Sequence, residues 1–220
     1  MRMIDWTEID TLFLDMDGTL LDLHFDNYFW LEHVPSRYAE ARDISLEESK
    51  RELLARYKDV EGTLEWYCVD HWSRELGLDI VLLKQEVDHL IAVHPHVVEF
   101  LDAVRDLGKR VLLVTNAHQK ALALKLERTQ LGGHFDRVIC SHDLGHPKES
   151  QEFWQKLEQV EQFHKARTLF VDDSIPVLRS AERYGIGQLL MMLQPDTKGP
   201  VKDAEHFPAI HNFSEIMPTI

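Results

Sequence analysis

The sequence predicts an α/β fold: a parallel sheet with helices on both faces and a wholly helical segment inserted after the first strand. Three observations predict it. Short apolar runs at 12–14, 111–114 and 169–171 alternate with helical patterns, as buried strands of a parallel sheet do. Residues 22–95, between the first two runs, hold helical patterns and no good strand candidate. Each run ends on polar residues: Asp15 and Asp17, Thr115 and Asn116, Asp172 and Asp173. In open parallel sheets, ligands bind beyond the carboxyl ends of the strands.

The elements follow in order. The strand at 11–14 runs into Asp15-Met-Asp17-Gly18-Thr19, where Gly18 allows a tight turn. Helical pieces are expected at 27–32, from the capping box Ser45-Leu-Glu-Glu48 to about 58, at 64–76 with Gly77 as stop, and at 82–91. Alternation resumes at His96, which divides the chain into an α/β core, 1–21 and 96–220, and a helical domain, 22–95. A helix at 97–107 ends at Gly108. The strand at 110–115 precedes a helix to about 129. A strand at 137–140, a helix at 151–162, a strand at 168–171, a helix to 184 and a strand at 187–193 complete the core. Pro195, Gly199, Pro200 and Pro208 predict a tail that is mostly loop, closed by a short helix at 213–217.

Composition narrows the function. At 220 residues, 44% apolar and 28% charged, the chain is ordinary globular material. A formal net charge of -14 argues against nucleic acid as a partner, because phosphate backbones need Lys and Arg. Cys68 and Cys140 have no metal-type spacing and read as reduced thiols of a cytoplasmic protein. The acidic N-terminus does not read as a signal peptide, and no apolar stretch approaches the ~20 residues a membrane helix needs.

The strand ends carry the chemistry. If parallel strands bring Asp15, Asp17, Asp172 and Asp173 to one edge, they repel strongly unless a cation sits among them. Oxygen-only ligands without His or Cys at spacing favour Mg²⁺ over zinc. A carboxylate nucleophile suits phosphoryl transfer. Lys148, in a loop after a further strand at 137–140, can reach the same edge. Singly, each has a plain structural explanation: Thr115-Asn116 as a helix cap, Lys148 as a surface lysine, Asp172-Asp173 as a cap for the next helix. Together they do not.

These stretches resemble the four motifs of the haloacid dehalogenase superfamily: Asp15-Met-Asp17-Gly18-Thr19-Leu20, Val114-Thr115-Asn116, Lys148, and Val171-Asp172-Asp173-Ser174. The resemblance implies a Rossmann-like core under a helical cap. It implies Asp15 as nucleophile forming an aspartyl-phosphate, and Asp17 as acid and base. It places Mg²⁺ on the Asp15 and Asp173 carboxylates and the Asp17 main-chain carbonyl, with Asp172 nearby. Thr115 and the Asn116 N–H would grip phosphate, and Lys148 would offset charge. Within the superfamily, Phe25-Asp-Asn-Tyr-Phe-Trp30, Leu64-Glu-Trp-Tyr-Cys68, Thr115-Asn-Ala-His118 and Pro147-Lys148 resemble a bacterial purine 5′-nucleotidase acting on GMP and IMP. The expected partner is thus a small phosphomonoester; phosphatases or mutases of sugar phosphates use the same parts, whereas a dehalogenase needs the first Asp but no acid or base at the second position, so Asp17 and the metal-binding carboxylates argue against it.

The aromatics Tyr28, Phe29, Trp30, Trp66, Tyr67 and Trp72 offer a base-stacking surface, although helical spacing makes any one of them a core residue first. His118 reads as a helix-surface histidine near the cleft. Arg37, Lys58 and Arg74 are candidate cations for an anionic substrate, with nothing to select among them.

Overall fold

The computed structural model describes residues 4–218. Thr11–Leu14 (β1) is followed by His24–Tyr28 (α1), Val34–Arg42 (α2), Leu46–Val60 (α3), Leu64–Tyr67 (α4), Val69–Leu76 (α5) and Ile80–Glu86 (α6). Val97–Asp106 (α7), Arg110–Thr115 (β2), Gln119–Thr129 (α8), Arg137–Cys140 (β3), Ser141–Leu144 (α9) and Gln151–Val160 (α10) continue the chain. Thr168–Asp172 (β4), Ile175–Tyr184 (α11), Gln188–Met192 (β5) and Ala209–Ile210 (β6) close it. The strands form one six-stranded sheet in the order β3-β2-β1-β4-β5-β6, every pair parallel.

Alternation along each strand divides the core. Leu12, Leu14, Val111, Leu113, Leu169 and Val171 join one apolar cluster. Phe13, Leu112, Val114 and Phe170 point the other way, onto Phe153, Trp154 and Leu157 of α10 and Val177, Leu178 and Ala181 of α11. This is the period of two expected of a sheet buried on both faces. The first cluster runs on into the helical block between β1 and β2, taking in Phe25, Phe29, Tyr38, Leu53, Trp72 and Leu83.

The helical block differs in detail from the sequence expectation. The helix expected at 27–32 begins at His24 and continues through a wider turn at Phe29–His33 into α2. Ser45 caps α3 by accepting from the Glu48 N–H at 3.2 Å. The single helix expected at 64–76 breaks at Cys68, whose sulfur accepts from the His71 N–H at 3.4 Å and starts α5; Gly77 ends it in the left-handed conformation. The helix expected at 82–91 starts earlier, at Ile80, because Asp79 caps Leu82 N–H at 3.0 Å, and gives way after Glu86 to a tight turn at Asp88–Leu90. The tail, expected as mostly loop, also supplies the edge strand β6, paired with Met191 and Met192.

Candidate active site

Register brings the polar strand ends together. Leu14 of β1 pairs with Leu113 of β2 on one side and Val171 of β4 on the other, so the carboxyl ends of all three strands lie at one edge of the sheet. Asp15, Thr115, Asn116, Asp172 and Asp173 are all buried there. Lys148 enters from the loop between α9 and α10. Its Nζ donates to Asp15 Oδ1 at 2.5 Å, Asp172 Oδ2 at 2.7 Å and the Val114 carbonyl at 3.1 Å. The loop is pinned at Lys148 itself: Asn116 Oδ1 accepts from Lys148 N–H at 2.9 Å, and Trp154 Nε1 donates to the Lys148 carbonyl at 3.0 Å. Asp172 Oδ1 also accepts from Ser174 N–H at 2.9 Å, a local turn and not the helix cap expected of one of the two aspartates: Ser174 is the N-cap of α11, which has no side-chain capping bond.

Oxygens of Asp15, Asp172 and Asp173 lie within 4.8 Å of one another. Burial pushes Asp15 and Asp172 up to about 6; Lys148 works against the rise, and neighbouring carboxylates add to it. Burial and Asp15 likewise raise Asp173, although Lys202 Nζ donates to its Oδ2 at 2.8 Å. Three crowded carboxylates, two lysines and, among the described residues, no histidine or cysteine in the cluster suit a hard, oxygen-seeking divalent cation.

Asp17 stands apart from that cluster. It lies in the turn after β1, where Gly18 takes φ +88, and its carboxylate Oδ1 accepts from Lys125 Nζ at 2.6 Å. The metal expectation for Asp17 therefore concerns its main-chain carbonyl. Burial, Asp26 and Asp15 push the Asp17 carboxyl up to about 6 against the pull of Lys125. A carboxyl in that range can hold or give up a proton near neutral pH.

Above the sheet edge is a cavity of about 370 Å³ between the strand ends and the helical block. Trp30, Trp66, Tyr67 and Trp72 line it. Trp72 is only 2% exposed and, like Phe29, is a core residue; Trp30 and Trp66 are half-buried. Tyr28 is exposed and lies outside the lining. Tyr67 Oη donates to Glu149 Oε1 at 2.5 Å, and Asn116 Nδ2 donates to Glu149 Oε2 at 2.9 Å, joining α4 to the strand edge beside Lys148. The cavity's cations are Lys84, Lys125, Lys148 and Lys202, not Arg37, Lys58 or Arg74. Arg37 instead pairs with Glu86 and Glu40 on the surface. His118 is buried rather than on a helix surface, and its Nδ1 caps α8 by accepting from Lys120 N–H at 3.3 Å. Thr115 Oγ1 accepts from Ala117 N–H at 3.0 Å, so it also shapes its own turn.

Sequence reasoning did not find Asp26, Lys84, Lys125, Glu149 or Lys202. Their partners lie 29 to 108 residues away, so no spacing signals them.

The haloacid dehalogenase-like hydrolase family matches this chain over residues 9–185. The chain belongs to that family. Among curated relatives, the Escherichia coli GMP/IMP nucleotidase YrfG is 38% identical over 217 residues, covering 99% of this chain and 98% of that protein. The E. coli pyrimidine 5′-nucleotidase YjjG is 25% identical over 177 residues, covering 75% and 77%. Among solved structures, a haloacid dehalogenase-type phosphatase from Thermococcus onnurineus superposes with a TM-score of 0.78 at 20% identity, covering 94% of this chain and 96% of that one. This family hydrolase thus has the shared fold along nearly its whole length. Among its described residues, no helix is long and apolar enough to cross a membrane.

Proposed function

We propose that this hydrolase is a Mg²⁺-dependent phosphomonoesterase that releases phosphate from purine nucleoside 5′-monophosphates, GMP and IMP first, through an aspartyl-phosphate on Asp15. The observation that carries the reaction is Asp15, Asp172 and Lys148 held together at one strand edge beside Asp173. The substrate rests on 38% identity to a GMP/IMP nucleotidase along essentially the full chain, against 25% over three quarters for the pyrimidine enzyme.

In this reading an Asp15 carboxylate oxygen attacks phosphorus while the ester P–O bond breaks. The bonding pair leaves on the nucleoside 5′ oxygen, which takes the proton of Asp17. Asp17 then removes a proton from water, the water oxygen attacks phosphorus, and Asp15 is returned as carboxylate with inorganic phosphate released. Lys148 offsets charge on Asp15 and on the phosphoryl oxygens. Thr115 Oγ1 and the Asn116 N–H hold those oxygens. The Asp15 and Asp173 carboxylates and the Asp17 carbonyl, with Asp172 beside them, would hold Mg²⁺. When bound, the ion supplies charge neutralisation between nucleophile and phosphate. Residues 22–95 act as the cap: they exclude water and offer the exposed faces of Trp30 and Trp66 to the base.

A side-by-side turnover screen of GMP, IMP, AMP, UMP and sugar phosphates with Mg²⁺ tests this. GMP and IMP should be the best substrates, and Asp15→Asn should be inactive. Preference for UMP or a sugar phosphate would reject the purine reading; full activity of Asp15→Asn would reject the nucleophile.

A further inference from the structure

Asp17 is the end of a chain of alternating charge that crosses from the strand edge into the helical block. Lys125 Nζ, on α8, donates at 2.6 Å to Asp17 Oδ1 and at 2.6 Å to Asp26 Oδ2. Asp26, on α1, accepts in turn from Lys84 Nζ of α6 at 3.0 Å. The Lys84 ammonium lies 4.1 Å from the centre of the Phe29 ring. Both lysine side chains are only 3% exposed.

Stability alone is a weak reason for such a chain. Taking charges out of water costs several kcal/mol per ion, and apolar replacements of similar size are often no less stable. Its placement says more. Lys125 fixes one oxygen of the Asp17 carboxylate. Among the described residues no donor reaches the other, Oδ2, and Asp17 lines the cavity. One oxygen is anchored and the other is left to carry a proton toward a bound ester. Reacting groups displaced by about 1 Å can lose about 10²-fold in rate, so an anchor of this kind acts directly on turnover.

We infer that Lys125 is a positioning residue for proton transfer by Asp17, and that the Asp26–Lys84 pair ties its position to the helical block. The inference rests on the proposed role of Asp17 as acid and base. Lys125 itself acts through Asp17: the proton that reaches the leaving oxygen comes from the carboxyl, and Lys125 keeps its own.

The test compares two leaving groups. A nucleoside 5′ alkoxide needs its proton as the P–O bond breaks, whereas p-nitrophenolate leaves readily without one. Lys125→Met should lower kcat/KM on GMP by about 10- to 100-fold and kcat/KM on p-nitrophenyl phosphate far less, because that ratio reports the step that breaks the ester bond and not the later hydrolysis common to both substrates. Introduced into Asp17→Asn, it should remove nothing more. Equal losses on both substrates, or additive loss in the double variant, would overturn the inference. If Lys125→Met does not fold, Lys125→Gln, which keeps a hydrogen-bond donor without the charge, carries the same comparison. Asp17→Asn alone separates the two levels. A leaving-group bias there with none in the Lys125 variant rejects only the positioning role; no bias in Asp17→Asn rejects the acid role and the inference with it.

Discussion

A Cβ placed on Gly18 would sit 2.8 Å from both the carboxyl carbon and Oδ2 of Asp173. The turn that carries Asp17 is thus packed directly against a carboxylate of the candidate metal cluster, at a φ of +88 that L residues rarely adopt. Gly18→Ala should destabilise the fold by about 1–2 kcal/mol through the backbone alone. It should also displace Asp173 and abolish most turnover. Thermal denaturation and phosphate release check both; wild-type turnover in the variant would contradict the packing.

Lys148 holds Asp15 and Asp172 together while only 2% exposed. Removing it leaves two buried carboxylates facing each other. Lys148→Met should cost about 3–5 kcal/mol of stability, the range for breaking a buried ion pair on one side. It should lower turnover by more than about 10²-fold, as loss of a preorganised charge does. Denaturant titration and steady-state kinetics measure the two effects.

Mg²⁺ should stabilise the folded chain before any substrate is present, because it would sit among three crowded carboxylates that the unfolded chain does not hold together. At 100 times its dissociation constant the gain is about 2.7 kcal/mol. Wild type should melt higher with Mg²⁺ than with a chelator, and Asp173→Asn should lose most of that difference. An equal rise in the variant would place the ion elsewhere.

His142 gives a pH dependence away from the strand edge. Burial, then the neighbouring His118, pushes His142 down to about 4. Its ring Nε2 is buried without a hydrogen-bond partner among the described residues. An unfolded histidine takes its proton near 6.5. The unfolded state therefore binds more protons between about 6.5 and about 4, and stability falls as pH drops through that window. Above about 6.5 the neutral ring costs nothing by this route. The stability difference between wild type and His142→Leu should shift against wild type as pH falls from 7 to 5. A difference that does not change with pH would contradict the shift.

The strand ends were legible because a buried parallel strand has a plain signature, an apolar run that stops at a polar residue. Asp15, Thr115 and Asp172 stood out for that reason, and the register puts them at one edge. Lys125 did not stand out. In Leu124-Lys125-Leu126-Glu127 it looks like the solvent face of an amphipathic helix, and only its pairing with Asp17, 108 residues away, reveals it as buried. Lys202 and Glu149 were hidden in the same way. The break at Cys68 was missed because a sulfur cap carries little sequence signal. The strand β6 was missed because two residues next to Pro208 are too short for any period to show.

Passage of phosphate through the side chain of Asp15 leaves a covalent trace that can be trapped. Enzyme turning over GMP can be quenched in acid and reduced with borohydride, which converts an aspartyl-phosphate to homoserine, and its peptides mapped by mass. Homoserine should appear at position 15 and nowhere else, and not at all in Asp15→Asn. Steady phosphate release with position 15 unmodified, or with the label at another carboxylate, would contradict that passage.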